Sequence, residues 1–347
     1  MALKRPNLFI CTSLTRKLAL PEKEREREIA KLRHSVGMIE GIAKRCGASV
    51  WCAFKEGNWK EEGNPRDFVP RDLKWAKECD AAILFPEASY GVRVEMGWLS
   101  AFAKPMLRLH EDSETPRPRY GLEENLGAAG GYGYYTSYEP GSSHYHFYPV
   151  SNLVFNKTVY NAERSIEDFI RKATSIDPKL LRHGQDKRAR AYRMPVYGNW
   201  NSHFNLFISA PFTQLYDEPV NDPKARELVE TIQGAAKEVD KSVQFQTEFL
   251  EWHQRFCNVA GVSAHWSRDC KGAILFPEAS YGVRVEMGWL SAFGKPMLRL
   301  HEGEIRYRCG LEKHLGHVPN SRVEDRVFRS LDDVKRLVKE FVESLNA

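Results

Sequence analysis

Two acidic residues in the first half of the chain, Asp72 and Glu95, could together cleave the bond between a sugar and its leaving group. The spacing predicts Glu95 in the first turn of a helix, where unpaired N–H groups would hold its carboxylate ionised as a nucleophile. A glutamate there is also a common helix-stabilising choice. Asp72 is predicted at the start of a short helix leading to the same sheet edge. Two carboxyl groups in one site push their pKa values apart, as glycosidic cleavage with retention requires.

The chain contains a duplication that repeats this glutamate. Residues 82–111 recur at 273–302 with one change, Ala103 to Gly294, so Glu286 is the second copy of Glu95. A recent duplication alone would also keep the two blocks identical. Asp72 lies outside the repeated block, and the functional interpretation therefore depends on it. Arg93 and Arg284, two residues before each glutamate, could contact a phosphate, but we predict that they face water, because a long cation at a helix start is usually exposed.

Each half alternates short apolar strands with amphipathic helices. In the first half the pattern predicts strands at 7–11, 48–54, 81–85 and 106–110, and helices at 24–46, 70–77, 92–102 and 165–173. In the second half it predicts strands at 206–210 and 243–249, the repeated block, and helices at 223–239 and 331–345. This order predicts an α/β protein of two tandem doubly wound domains, flavodoxin- or Rossmann-like, each with a mostly parallel sheet of about five strands. The predicted domains are 1–178 and 201–347, joined by a basic linker at 179–200.

Two segments have no counterpart in the regular pattern. Residues 127–149 are rich in glycine and tyrosine and occur only in the first half. We interpret them as an exposed, partly disordered loop in preference to a substrate lid. Residues 179–193 form a basic run that is most simply a solvated linker, with a nucleic-acid contact as the minority alternative.

The composition is that of a globular protein. The 347 residues are 42% hydrophobic and 28% charged, and no apolar run is long enough for a membrane span or a secretory signal. Seven cysteines without a CxxC pair indicate a reducing compartment, predict a cytoplasmic protein and argue against structural zinc. The net charge of +5 favours anionic small molecules as readily as nucleic acid, so it does not decide between them. We expect a small-molecule nucleoside or nucleotide as the partner, and no nucleic acid or membrane.

Small residues near the strand ends could bind a phosphate. Ser13 follows the first strand, and Ser89 and Gly91 lie between the third strand and the helix of Glu95. Ligands bind outside the carboxyl ends of parallel strands, where free N–H groups and a helix start favour an anion. The binding candidates of the second half are Ser209, Ser280 and Gly282.

These residues together resemble a known enzyme family. The motif consists of Asp72-Leu73-Lys74-Trp75, Asp80, Ser89-x-Gly91-Val92-x-x-Glu95-Met96-Gly97 and Lys104-Pro105. It is similar to the nucleoside 2-deoxyribosyltransferase superfamily, and closest in spacing to the 2'-deoxynucleoside 5'-phosphate N-hydrolases. The resemblance covers residues 8–111 and, more loosely, 206–302. Its most specific part is the serine, glycine and glutamate of the third βα turn with Asp72 upstream.

The resemblance implies a role for each matching residue. Glu95 would attack the anomeric carbon of a deoxyribose and form a glycosyl ester, and Asp72 would orient the sugar or handle protons at the leaving base. Ser89 and Gly91, helped by Ser13, would bind a 5'-phosphate. The ester would pass to water, giving hydrolysis, or to another base, giving transfer. The implied substrate is a (deoxy)nucleoside or its 5'-monophosphate, with no metal or other cofactor.

The second half departs from the family pattern. Glu286 is kept as its catalytic candidate, but Ser263 stands at the position of Asp72. Its first strand ends in Ser209-Ala210-Pro211-Phe212, which looks like the transferase branch of the superfamily. We therefore expect the second site to be weakened or to take a different substrate.

The resemblance also suggests how the two halves pair. Members of the superfamily usually complete each site with a residue from a neighbouring subunit. A tandem duplication could form that pair within one chain as a two-fold pseudodimer, and further homo-oligomerisation stays open. Asn125 and His314, in the recurring segments 121–127 and 310–316, are the candidates to cross into the other half's site, although a plain amphipathic helix also explains these segments.

Two other functions fit the same residues. An NAD-cleaving enzyme of the TIR type also uses a glutamate near a sheet edge to break an N-glycosidic bond. A noncatalytic sensor that binds a nucleotide would explain the missing aspartate of the second half. The sequence contains no further feature that singles out nicotinamide.

Overall fold

The computed structural model describes the chain in separate stretches. They are residues 5–12, 20–56, 65–85, 90–102, 104–111, 150–155, 159–175, 205–209, 223–245, 259–277, 281–307 and 309–347. The predicted insertion at 127–149 and linker at 179–200 lie outside them. None of the described helices is both long enough and apolar enough to span a lipid bilayer.

The first half forms a parallel sheet of five strands. The strands are β1 (Asn7–Cys11), β2 (Ser49–Cys52), β3 (Ala81–Leu84), β4 (Met106–Glu111) and β5 (Val150–Phe155), in the order β2-β1-β3-β4-β5. Its helices are α1 (Glu22–Arg45), the single turn α2 (Ala53–Glu56), α3 (Pro65–Glu78), α4 (Tyr90–Ala101) and α5 (Val159–Ser175). Each described strand pair runs parallel. Helix α1 ends just before Gly47, whose φ of 73° is a conformation that glycine adopts without strain.

The second half repeats this arrangement. Its strands are β6 (Asn205–Ser209), β7 (Gln244–Phe245), β8 (Gly272–Leu275), β9 (Met297–Glu302) and β10 (Val323–Phe328), in the order β10-β9-β8-β6-β7. Its helices are α6 (Pro223–Val239), α7 (Val259–Asp269), α8 (Tyr281–Ala292), α9 (Gly310–Lys313) and α10 (Leu331–Asn346), with a 3-10 turn at Leu315–His317. Read from β7, this strand order matches that of the first sheet. The prediction of two tandem doubly wound α/β sheets is confirmed.

The two halves share a central layer of helices. One core cluster lies outside each sheet, between β1 and helices α1 and α5 in the first half, and between β6 and helices α6 and α10 in the second. A third cluster contains α3, α4, α7 and α8 and draws residues from both halves. Because side chains alternate along a strand, Leu8 and Ile10 face the outer cluster, whereas Phe9 and Cys11 face the shared layer.

Helices α4 and α8 form the centre of this shared layer. The indole Nε1 of Trp98 donates to Ser291 Oγ at 2.7 Å, and that of Trp289 donates to Ser100 Oγ at 2.6 Å. Gly97 and Gly288 lie directly against each other, which brings the two helix backbones into contact. These reciprocal contacts join the duplicated helices across the two halves.

Several elements differ from the sequence predictions. The pattern of apolar residues in the sequence predicted no strand where β5 and β10 lie and no helix where α7 lies. Helix α3 begins at Pro65, five residues before the predicted start at Pro70, which lies inside the helix. Proline at a first helical position is favourable, and both prolines carry that signal, so the pattern alone could not choose between them. Asp72 is consequently in the middle of α3, not at its start.

Candidate active site

Asp72 on α3 and Glu95 on α4 are buried next to each other. The two helices are packed together, and the exposed fractions are 6% for Asp72 and 7% for Glu95. The residues are close enough for the charge of Asp72 to raise the pKa of Glu95. Two buried carboxyl groups therefore lie near each other on the side of the first sheet that faces the shared helix layer.

The protonation of Glu95 differs from the prediction. Helix α4 begins at Tyr90, two residues before the predicted start, so Glu95 lies in its second turn and beyond the free N–H groups of the helix start. Burial, followed by the charge of Asp72, raises the pKa of Glu95 well above its ordinary value, although Cys11 and Arg71 act in the opposite direction. The prediction that the helix start keeps Glu95 ionised is therefore wrong, because burial favours the protonated carboxyl group.

Arg71 holds the other carboxyl group of the pair. Its Nε and one terminal nitrogen each donate to Asp72 Oδ1 at 3.0 Å. The same guanidinium lies 4.6 Å above the ring of Trp75, which in turn stacks on Trp51 with centroids 6.2 Å apart. An arginine fixed over an aromatic face loses little freedom when it binds a carboxylate. Arg71 was not among the predicted site residues, although its position directly before Asp72 in the sequence could have indicated that it binds this carboxylate.

Residues of the second half border this site. The ring of His314 lies edge-on to that of Phe68 at 6.1 Å, and Phe68 is one turn before Asp72 on α3. His317 stacks on His314 with centroids 5.8 Å apart. Burial and then Glu312 raise the pKa of the Cys309 thiol to about 12, and the charge of Glu95 contributes to the same shift. Segment 309–317 of the second half thus lies against the two helices that carry Asp72 and Glu95.

The second half builds a different site around Glu286. This residue is 8% exposed on α8, and its Oε2 accepts a hydrogen bond from the hydroxyl of Ser209 at the end of β6. Burial raises the pKa of Glu286 to about 8, against the lowering effect of Ser209. Ser263, at the position of Asp72, is buried on α7. Among the residues that the structure describes, no carboxylate contributes to the pKa shift of Glu286, in contrast to Glu95.

Arg93 and Arg284 are buried, and the prediction that they face water is wrong. Their exposed fractions are 5% and 3%. The guanidinium of Arg284 lies 4.3 Å above the ring of Tyr90 in the first half, and its Nε is 3.5 Å from Glu312 Oε2. The burial arises because each helix start faces the other half. Glu312 belongs to a Gly-Leu-Glu triplet that occurs in both halves of the sequence. This recurrence could have indicated a partner for Arg284.

The predicted phosphate-binding residues are described only in part. Gly91 and Gly282 are the second residues of α4 and α8, next to the helix starts. Ser13, Ser89, Ser280 and Asn125 lie outside the described residues. Within the described stretches, no group of three or more histidine, cysteine, aspartate or glutamate side chains could hold a metal ion.

The pKa of Glu286 predicts that this residue weakens the fold as the pH rises. Below pH 4.5 the glutamate is protonated in both folded and unfolded states, and above about pH 8 it is ionised in both. Between these values the unfolded state ionises first, so the stability falls by up to about 1.4 kcal/mol per pH unit. Glu286→Gln removes this contribution and keeps the neutral shape. Urea unfolding between pH 5 and pH 8.5 should show that the stability of the variant falls less steeply with rising pH than that of the wild type.

The matched control for this prediction is Glu302→Gln, because Glu302 belongs to the same repeated block but is exposed. It should unfold in parallel with the wild type at every pH. If Glu286→Gln also ran parallel to the wild type, Glu286 would not titrate as a buried acid.

Comparison with known proteins gives only distant structural similarities. No protein-family profile matches the chain, and no curated protein matches it. A CMP N-glycosidase from Clostridium botulinum, BcmB, matches 41% of this chain and 99% of its own, with 19% sequence identity and a TM-score of 0.28. The glycosyltransferase SnogD from Streptomyces nogalater matches 99% of this chain and 95% of its own, with 11% identity and a TM-score of 0.25. Similarities at these scores do not indicate what this chain does.

Proposed function

We propose that the first half cleaves N-glycosidic bonds of deoxynucleosides or their 5'-monophosphates through Glu95 and Asp72. The observation that carries this proposal is the pair of buried carboxyl groups, of which Asp72 is held by Arg71 and Glu95 has a strongly raised pKa. Retaining cleavage of a glycosidic bond uses two carboxyl groups in different protonation states. The resemblance of the motif to the nucleoside 2-deoxyribosyltransferase superfamily supplies the substrate class.

The proposed reaction needs one proton shared by the pair. When substrate binds, Glu95 passes its proton to Asp72 and becomes the nucleophile. The Glu95 oxygen then forms a bond to the anomeric carbon, the bond between that carbon and the base nitrogen breaks, and Asp72 gives its proton to the leaving base. Water next attacks the anomeric carbon, Asp72 takes a proton from it, and Glu95 leaves as a carboxylate. A second base in place of this water would give transfer.

The residues around the pair suggest how a nucleotide would be held. Ser89, Gly91 and Ser13 follow strand ends, where free N–H groups suit a 5'-phosphate. Arg71 would keep Asp72 oriented towards the base while remaining stacked on Trp75. No step of this reaction requires a metal or a redox cofactor.

We also propose that the duplication serves as an internal pair of subunits. The reciprocal Trp98–Ser291 and Trp289–Ser100 hydrogen bonds support a pseudodimer, and the contact of His314 with Phe68 supports a contribution of the second half to the first site. Asn125 would make the matching contribution to the second site.

The second half would bind a nucleotide weakly or without cleaving it. Glu286 has a raised pKa but, with Ser263 at the position of Asp72, lacks the partner that would take its proton. Ser280 and Gly282 would still be available for binding, whereas the hydroxyl of Ser209 is buried and donates to Glu286. This observation favours a noncatalytic nucleotide sensor as the second candidate function for the chain.

A substrate panel tests these proposals. The full-length protein is incubated with deoxynucleosides, deoxynucleoside monophosphates, ribonucleotides and NAD, with and without an acceptor base, and released base is measured by chromatography. Free base from deoxynucleosides or their monophosphates is the expected result, and base exchange only with an acceptor would identify a transferase. The Asp72→Asn variant serves as the control for contaminating activity.

The other outcomes identify the competing functions. Release of nicotinamide alone would favour the NAD-cleaving alternative and contradict the proposed substrate class. Binding of a monophosphate by calorimetry, without turnover of any compound in the panel, would favour the sensor.

A further inference from the structure

The first strands of the two halves match residue by residue until their last position. Both read Asn-Leu-Phe-Ile, followed by Cys11 in β1 and by Ser209 in β6. The register is also the same, since Cys11 pairs with Leu84 of β3 and Ser209 with Leu275 of β8. Cys11 and Ser209 therefore occupy one equivalent place beside the glutamate of their own half.

Both side chains are buried beside that glutamate. Cys11 is 1% exposed and Ser209 is 0% exposed. The Ser209 hydroxyl donates to Glu286 Oε2, and the Cys11 thiol, at the equivalent position, acts on Glu95 by lowering the pKa of its carboxyl group. The duplication thus preserved the contact while changing the atom that makes it from oxygen to sulfur, or the reverse.

We propose that Cys11 and Ser209 are positioning residues that orient the glutamate carboxyl group and set how readily it releases its proton. A hydroxyl is a stronger hydrogen-bond donor than a thiol, so it stabilises a carboxylate more. The halves would then differ in two ways at once, in the carboxylate partner and in the strength of this donor. The consequence for the reaction rate rests on the function proposed above, but the effect on the proton does not.

Other charged and titratable groups act on the same carboxyl groups. Glu95 is influenced by Asp72 and Arg71 of α3 as well as by Cys11, and it interacts with Cys309 of the second half. Within the described part of the chain, the pKa of Glu286 is influenced by burial and by Ser209. Burial, followed by the charge of Glu95, raises the pKa of the Cys11 thiol well above its ordinary value, so this side chain keeps the proton that it donates.

The test exchanges the donors and follows each glutamate directly. Protein labelled with ¹³C at the glutamate side-chain carboxyl carbon is titrated by NMR, and the two signals are assigned by their loss in Glu95→Gln and Glu286→Gln. Cys11→Ser should lower the titration midpoint of Glu95 by roughly one pH unit and Cys11→Ala should raise it. Ser209→Cys should raise the titration midpoint of Glu286, and Ser209→Ala should raise it further.

Enzyme kinetics provide the second measurement. The basic limb of kcat/KM should move with the Glu95 midpoint, to lower pH in Cys11→Ser and to higher pH in Cys11→Ala, because the free enzyme must still hold the proton that Glu95 passes to Asp72. Cys79→Ser is the matched control, since the Cys79 thiol is equally buried but lies 3.6 Å from the Ala76 carbonyl oxygen that accepts its hydrogen bond. It should leave both the midpoint and the kinetic limb unchanged.

The possible outcomes separate this inference from the proposed function. Unchanged midpoints in folded Cys11→Ser and Ser209→Cys proteins would overturn the inference, whatever the enzyme does. Shifted midpoints in a protein without glycosidase activity would support the inference and reject the proposed function. If Cys11→Ala did not fold, Cys11→Ser and the two Ser209 variants would still decide the matter.

Discussion

Glu95→Gln is expected to lower the release of base by at least about 1000-fold, because the amide cannot form the glycosyl ester. The substitution suits the site, since a buried glutamate with a strongly raised pKa is already close to the neutral amide in shape and charge. The variant should therefore fold like the wild type and bind substrate. The measurement is kcat/KM for the best substrate of the panel, with thermal unfolding of the variant as the check on its fold.

Glu286→Gln is the matched control for this experiment. It makes the same change at the duplicated position, in a helix of identical sequence, and should keep the activity within about threefold of the wild type, since its site lies in the other half. Activity that survives in Glu95→Gln but is lost in Glu286→Gln would place the chemistry in the second half and contradict the assignment.

The covalent intermediate offers an independent check on the same residue. Acid-quenched wild-type protein, taken during turnover, should carry the mass of one sugar or sugar phosphate on the peptide that contains Glu95. Asp72→Asn should slow formation of this adduct by roughly 100-fold, because the leaving base loses its proton donor. An adduct on a different peptide would reject Glu95 as the nucleophile.

The sequence predicted most of the fold because the buried strands carry clear apolar runs. Ala81–Leu84 and its copy Gly272–Leu275 are buried throughout, and such strands are recognisable without tertiary context. Strand β10 was missed because it lies at a sheet edge and reads Val-Glu-Asp-Arg-Val-Phe, with charges that a half-exposed edge tolerates. Strand β5 was missed because it directly follows the irregular insertion.

The proximity of the two carboxyl groups was predictable, but their places in the helices and their charge were not. The predicted order of strands and helices brought Asp72 and Glu95 together, although Asp72 lies in the middle of α3 and Glu95 in the second turn of α4 instead of at the predicted helix starts. The protonation of Glu95 depends on how deeply α3 and the second half bury it, which local sequence does not reveal. The prediction that Arg284 faces water was wrong for the same reason, since the ring of Tyr90 that covers its guanidinium belongs to the other half.

The joining of the halves depends on two glycines that face each other. A Cβ atom built on Gly97 would overlap the carbonyl oxygen of Val285 and lie 2.7 Å from the Cα of Gly288. A Cβ atom on Gly288 would meet Val94 and Gly97 in the same way. These obstacles are backbone atoms of a packed helix and cannot rotate aside, so the two helices would have to separate.

Gly97→Ala should therefore destabilise the protein by roughly 3 kcal/mol or more, through overpacking at the centre of the shared layer. Separation of α4 and α8 would also lengthen the hydrogen bond between Trp98 and Ser291 and draw segment 309–317 away from Glu95. Activity should fall together with the urea midpoint. Gly234→Ala is the control, because Gly234 lies inside α6 with open space around its Cα, and it should stabilise by about 0.5–1 kcal/mol. A Gly97→Ala protein as stable as the wild type would mean that the two halves are not held together by these helices.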